Sequence, residues 1–199
     1  MTSSGTGSPP PLRLGAVVLA GGTAARMGGI DKASIEVGDV TLLERALAAV
    51  MSAVEVVVVG HQVPTTRPVT WTLEDPASGG PAAALLAGLD RFLRPPDLVA
   101  ALAVDMPRVN AGTVARLTWA VEADRDLDGA VLVGGDGRRQ TLAAVYRYPA
   151  LRKSDPGLEQ RHGLPVRRLV ADLRLCEVPA VGDETRDVDT WDDLRDLAT

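Results

Sequence analysis

An α/β fold on a mostly parallel, mixed central sheet follows from two features of this 199-residue chain. Three uninterrupted apolar runs, 14–19, 56–59 and 98–104, have the pattern of strands covered on both faces. Stretches of helical periodicity separate them, and such alternation implies right-handed crossovers that put helices on both sides of the sheet.

Taken in order, residues 1–11 hold turn formers and little to bury, which predicts a disordered tail; one domain is expected over 12–199. The first strand, 14–19, is followed by a glycine-rich loop. Thr41 to Met51 places Leu42, Leu43, Ala46, Leu47 and Val50 on one helical face, and a strand follows at 56–59. Pro81 to Leu93 repeats the helical pattern with Leu85, Leu86, Leu89 and Leu93 ahead of the strand at 98–104, and a further helix begins near Asn110. The runs 130–133 and 142–146 flank Gly134-Gly135-Asp136-Gly137, a turn that makes at least one of these strands antiparallel. Val166 to Leu173 has helical periodicity, Leu175 to Val178 reads as a strand, and Trp191 to Leu197 as a short helix capped by Asp189 or Thr190. The whole is a Rossmann-like three-layer sandwich, with its ligand crevice at the carboxyl ends of the strands.

Composition narrows the function. The net charge is −5 with both signs dispersed, so no basic face is offered to nucleic acid and no polybasic cluster to a membrane. The first dozen residues lack an apolar targeting segment, and no apolar run approaches the ~20 residues that cross a bilayer. The single cysteine, Cys176, rules out an internal disulfide. A cytoplasmic location is expected.

The loop after the first strand reads Leu19-Ala20-Gly21-Gly22-Thr23-Ala24-Ala25-Arg26-Met27-Gly28-Gly29-Ile30-Asp31-Lys32. Glycines let backbone N–H groups close on an anion, and Arg26 and Lys32 add mobile positive charge. Of 21 basic residues only Lys32 and Lys153 are lysine, so Lys32 stands against a strong arginine bias; a compact ammonium meets a phosphate oxygen as a point charge. The spacing matches neither a Walker A loop nor a dinucleotide fingerprint. Farther on, Asp105 ends the most apolar strand, where a carboxylate released into the crevice is placed to hold magnesium. Asp187 and Asp189 either complete that site or cap the last helix. Asp75 precedes Pro76 in a glycine-rich loop and is equally a turn-forming carboxylate. Arg138 and Arg139 on the predicted turn are either acceptor-phosphate contacts or solvated arginines. His61 and His162 adjoin no nucleophile motif, so no covalent intermediate is expected.

The Leu-Ala-Gly-Gly-x-x-x-Arg-Met-Gly-Gly-x-Asp-Lys run resembles the signature of nucleotidyltransferases that activate sugars, polyols and pterins, and most closely that of the molybdenum cofactor guanylyltransferases. Glu74 to Pro81, Ala103 to Pro107, Gln140 to Tyr146 and Asp187 to Thr190 are similar to further segments of that family, from Gly15 to Leu194. The resemblance implies magnesium-dependent transfer of GMP from GTP to molybdopterin with release of pyrophosphate. It implies nucleotide binding by Leu19, Ala20, Gly21, Gly22, Gly28, Lys32, Asp75, Gly80 and Asp105, catalysis by Lys32, Arg26 and Asp105, and metal binding by Asp105, Asp187 and Asp189. A molybdoenzyme or a delivery chaperone would receive the product. Family members often carry asparagine at 187 and 189, proline at 191 in place of Trp191 and proline at 141 in place of Thr141. Gly21-Gly22, in place of Ala-Gly, resembles the guanylyl branch. The alternatives are cytidylyl transfer to molybdopterin, guanylyl transfer to a phosphorylated small acid, and a nucleotide-binding regulator without catalysis.

Overall fold

A computed structural model describes residues 11–21, 23–24 and 30–198. Its centre is a seven-stranded sheet made of β1 (Leu14–Leu19), β6 (Glu55–Val59), β7 (Thr70–Thr72), β8 (Leu98–Ala103), β9 (Gly129–Val133), β10 (Arg139–Arg147) and β11 (Leu175–Pro179), in the order β11-β9-β10-β8-β1-β6-β7. Two short antiparallel pairs, β2 (Thr23–Ala24) with β3 (Ile30–Asp31) and β4 (Glu36–Val37) with β5 (Val40–Thr41), lie outside it. Only β10 runs against its neighbours, pairing antiparallel with both β8 and β9, because a four-residue turn sends the chain straight back. In that turn Gly137 takes φ of 77° and Asp136 Oδ1 accepts from Arg138 N.

Helices cover both faces. α1 (Leu42–Ala49), α3 (Ala111–Ala123) and α6 (Trp191–Ala198) lie on one side, where Ala16 and Val18 of β1 pack with Leu43, Leu47, Leu117 and Leu194. α2 (Pro81–Leu89), α4 (Tyr148–Lys153) and α5 (Val166–Leu169) lie on the other, where Val17 and Leu19 meet Leu85, Leu86 and Leu151. The alternation along β1 is hidden in the sequence because both faces are buried. α2 sits so close to β1 that a Cβ at Gly88 would come within 2.4 Å of Val17 Cγ1, so a larger residue there must displace the helix.

Three elements differ from the sequence expectation. α2 stops at Leu89 instead of continuing to Leu93, and Leu93 is left exposed ahead of Pro95-Pro96. α5 ends at Leu169 because the chain turns at Val170. β7 and α4 carry no strong periodic signal: a three-residue edge strand of half-buried residues and a helix of six residues are too short to show one. Among the described residues no helix is long and apolar enough to cross a membrane.

Candidate functional site

β1 and β8 are parallel neighbours, with Leu19 paired to Ala103, but the chain leaves β1 toward β6 and only later returns to β8. The connections therefore diverge at their carboxyl ends, where an open α/β sheet presents its crevice. On one side Ala20 N and Gly21 N both donate to Val59 O at 2.9 Å. On the other, Val104 N donates to Leu19 O at 3.1 Å and Asp105 follows. Gly60 keeps the β1 loop flat against β6, since a Cβ there would lie 3.0 Å from Gly21 N. Gly22, Arg26, Gly28 and Gly29 lie outside the described residues.

Lys32 opens a 3-10 turn, Lys32–Ser34, whose cap is Asp31: its Oδ1 accepts from Ala33 N at 3.0 Å. With the turn so fixed, the ammonium reaches the segment before α6. It donates to Asp189 Oδ1 at 2.7 Å and to Val188 O at 2.9 Å, and lies 3.9 Å from Asp105 Oδ2. Val188 N in turn donates to Asp105 O at 2.8 Å, which fastens this segment to the end of β8. Lys32, Asp105, Asp187 and Asp189 thus form one cluster drawn from three distant parts of the chain.

Neither Asp105 nor Asp189 is needed as a cap. Asn110 caps α3, accepting from Gly112 N at 2.9 Å and Thr113 N at 3.3 Å. Thr190 caps α6 through Asp193 N, and Asp193 Oδ2 accepts back from Thr190 N at 2.9 Å. Burial pushes the Asp105 carboxyl above the usual carboxylate range, with Asp189 adding repulsion and Lys32 opposing both. Asp187 is raised as well, by burial and then by Asp105 and Asp189, against Arg138 and Lys32. The cluster therefore holds more negative charge than its one ammonium balances.

Among the described residues no three His, Cys, Asp or Glu side chains gather into a ready metal cage. Asp105 and Asp187 instead face one cleft of about 590 Å³. Two hard oxygen donors carrying uncompensated charge fit magnesium, which takes one or two carboxylates and completes its shell with phosphate oxygens and water. Asp189 is already engaged by Lys32.

The loop from Asp75 to Pro81 comes from the other side of the crevice, after β7. Asp75 is exposed on it, and its side chain makes no hydrogen bond or ion pair with the described residues. Gly80 is the N-cap of α2 at φ of 87°, and its N–H is held by Glu74 Oε2 at 3.1 Å. Gly79 packs where a Cβ would lie 2.6 Å from Pro76 O, so the turn is closed too tightly for a side chain. Glu74, not Asp75, organises this loop. Nothing in the sequence ranks one acid above its neighbour.

A second acid escaped sequence reasoning. Glu184 is buried between α3 and the segment leading to Asp187, accepting from Thr113 Oγ1 at 2.5 Å, Arg116 at 2.6 Å and Val181 N at 2.8 Å. Burial works to raise its pKa, but the Thr113, Val181 and Arg116 hydrogen bonds outweigh it and hold the carboxyl below its ordinary value. Thr113 and Arg116 are spaced i, i+3 on α3, which puts both on one face, but nothing in that spacing names their partner. Glu184→Gln is expected to destabilise the protein by about 3 kcal/mol at pH 7, because it leaves buried partners mismatched. A depressed folded pKa stabilises above the unfolded value and ceases to do so as pH falls through the folded one, so the deficit should shrink in acid. Urea unfolding of both proteins at pH 7 and near pH 4 checks this.

Comparison with known proteins agrees with this architecture. The chain is 30% identical over 148 residues to the molybdenum cofactor guanylyltransferase of Shewanella sp. (strain ANA-3), covering 72% of this chain and 73% of that one. It is 33% identical over 218 residues to the bifunctional enzyme IspD/IspF of Clavibacter michiganensis, covering 87% of this chain and 53% of that one. The crystal structure of molybdopterin-guanine dinucleotide biosynthesis protein A from Archaeoglobus fulgidus superposes with a TM-score of 0.70 at 18% identity, over 92% of this chain and 96% of that one. Residues 16–177, which span the whole seven-stranded sheet but for its first and last two residues, match the MobA-like NTP transferase domain, and the chain belongs to that family of nucleotidyltransferases.

Proposed function

We propose that this chain transfers GMP from GTP to molybdopterin and releases pyrophosphate. An oxygen of the acceptor phosphate forms a bond to the α-phosphorus of GTP while the bond to the β-phosphate oxygen breaks and pyrophosphate leaves with that electron pair. The supporting observation is the meeting of Lys32, Asp105, Asp187 and Asp189 at the diverging ends of β1 and β8.

In this reading Asp105 and Asp187 hold the magnesium ion. Bound there, magnesium supplies charge neutralisation to phosphate oxygens that would otherwise repel the nucleophile. Lys32 balances charge on the departing pyrophosphate, held in reach by Asp189 and the Val188 carbonyl, and Arg26 adds a second cation from the glycine loop. The backbone of Leu19, Ala20, Gly21, Gly22 and Gly28 cradles the nucleotide, and the Asp75 to Gly80 loop reads the base and ribose. No side chain is asked to act as a covalent nucleophile, so catalysis consists of positioning and charge balance.

Cytidylyl transfer is the second reading, favoured by the 33% identity to the IspD/IspF enzyme over most of this chain. Calorimetric titration with GTP and with CTP, each with and without magnesium, separates the two. Preference for magnesium with GTP, weakened in Asp105→Asn, is the expected result. Preference for CTP would move the assignment to the cytidylyl branch, and binding of neither would remove the nucleotide reading altogether.

A further inference from the structure

The cleft beside Asp105 carries three arginines in its wall, Arg138, Arg139 and Arg167. Arg139 is committed elsewhere: its guanidinium pairs with Glu177 at 2.7 Å. Arg138 and Arg167 have no side-chain hydrogen bond or ion pair with the described residues, although Arg138 is close enough to Asp187 to lower its proton affinity. Both are presented by fixed backbone. Arg138 follows the turn in which Asp136 Oδ1 holds its N–H at 2.9 Å, and Arg167 stands on α5, which is nailed to the core by buried Val166 and Leu169.

The chemistry gives these cations a task. An acceptor phosphate must approach a triphosphate across a site that already holds Asp105 and Asp187, and like charge opposes that approach. Two unpaired guanidinium forks on the acceptor's side offset the repulsion and fix the phosphate geometrically. Between them the cleft is lined by Leu142, Val170 and Leu175, and its volume of about 590 Å³ lies within the range of ~300–1,000 Å³ that takes a drug-sized ligand.

We propose that Arg138 and Arg167 clamp the phosphate of the acceptor, an organic phosphomonoester whose weakly polar body rests against Leu142, Val170 and Leu175. The proposal rests on the nucleotidyl-transfer reading and adds to it a pair of acceptor-binding residues. It replaces Arg139, one of the two arginines suggested by the sequence, with Arg167. Arg168, the next residue on α5, does not line the cleft and serves as the matched control.

Fluorescence titration of the full chain with 4-methylumbelliferyl phosphate, with 4-methylumbelliferone in parallel, tests it. Arg138→Ala and Arg167→Ala should each weaken the phosphate ester about tenfold, by loss of a charge-assisted contact, while Arg168→Ala leaves it unchanged. The phosphate-free alcohol should bind all four proteins alike, and calorimetry should give unaltered affinity for magnesium with GTP. An unchanged ester affinity in both cleft variants, an equal loss of ester and alcohol, or a wild type that does not distinguish the two ligands overturns the clamp. Failure of the wild type to bind magnesium with GTP overturns the nucleotidyl-transfer reading, and is read separately.

Discussion

Asp105→Asn is expected to lower turnover by about a thousandfold, measured as pyrophosphate released from GTP in the presence of acceptor. The change keeps the shape of the side chain and removes the charge of the donor that the sheet delivers most directly to the crevice. The protein should stay folded, because Asp105 contributes its backbone carbonyl, not its carboxylate, to the bond with Val188 N. Its melting temperature should match or exceed that of the wild type, since burial and the nearby Asp187 and Asp189 all disfavour the Asp105 carboxylate. A variant that is both stable and fully active would remove Asp105 from the reaction.

Lys32→Ala should lower turnover by about a hundredfold or more. Two effects combine: the phosphates lose a cation, and Asp189 is left without its 2.7 Å partner, so the crevice becomes more negative where an anion must enter. Affinity for GTP should therefore fall along with turnover. Lys32→Arg should rescue poorly, because a planar fork cannot fill the place in which one ammonium reaches Val188 O, Asp189 Oδ1 and Asp105. An unaltered rate in Lys32→Ala would exclude it from the mechanism.

The strands of the sheet centre were legible because burial on both faces leaves an unbroken apolar run, as in 14–19 and 98–103. The turn at 134–137 was legible for a different reason, since its glycines mark where the chain reverses and so predict the antiparallel strand. β7 was not, because three half-buried residues at a sheet edge carry no such pattern. Among candidate site residues, Lys32 stood out by composition and Asp105 by its place at the end of a strand. The choice between metal ligand and cap for Asp187 and Asp189 is a question of distance, which spacing along the chain does not encode. Thr190 takes the cap, and Asp189 turns to Lys32 across 157 positions of sequence. Glu184 and Arg167 stayed hidden for the same reason: what singles them out is a partner, or the lack of one, in space.

The fastening of Val188 to Asp105 and Lys32 has a consequence for how the protein is made. Synthesis runs from the amino end, and domains begin to organise as they emerge. All seven strands of the sheet precede residue 180, whereas Asp187, Val188 and Asp189 follow it. A nascent chain can therefore assemble its sheet on the ribosome while Lys32 still lacks its seat. Polypeptides interrupted just after β11 would accumulate as folded but inert bodies, unable to tie up a cellular nucleotide pool, and translation of one short stretch becomes the step that switches the protein on.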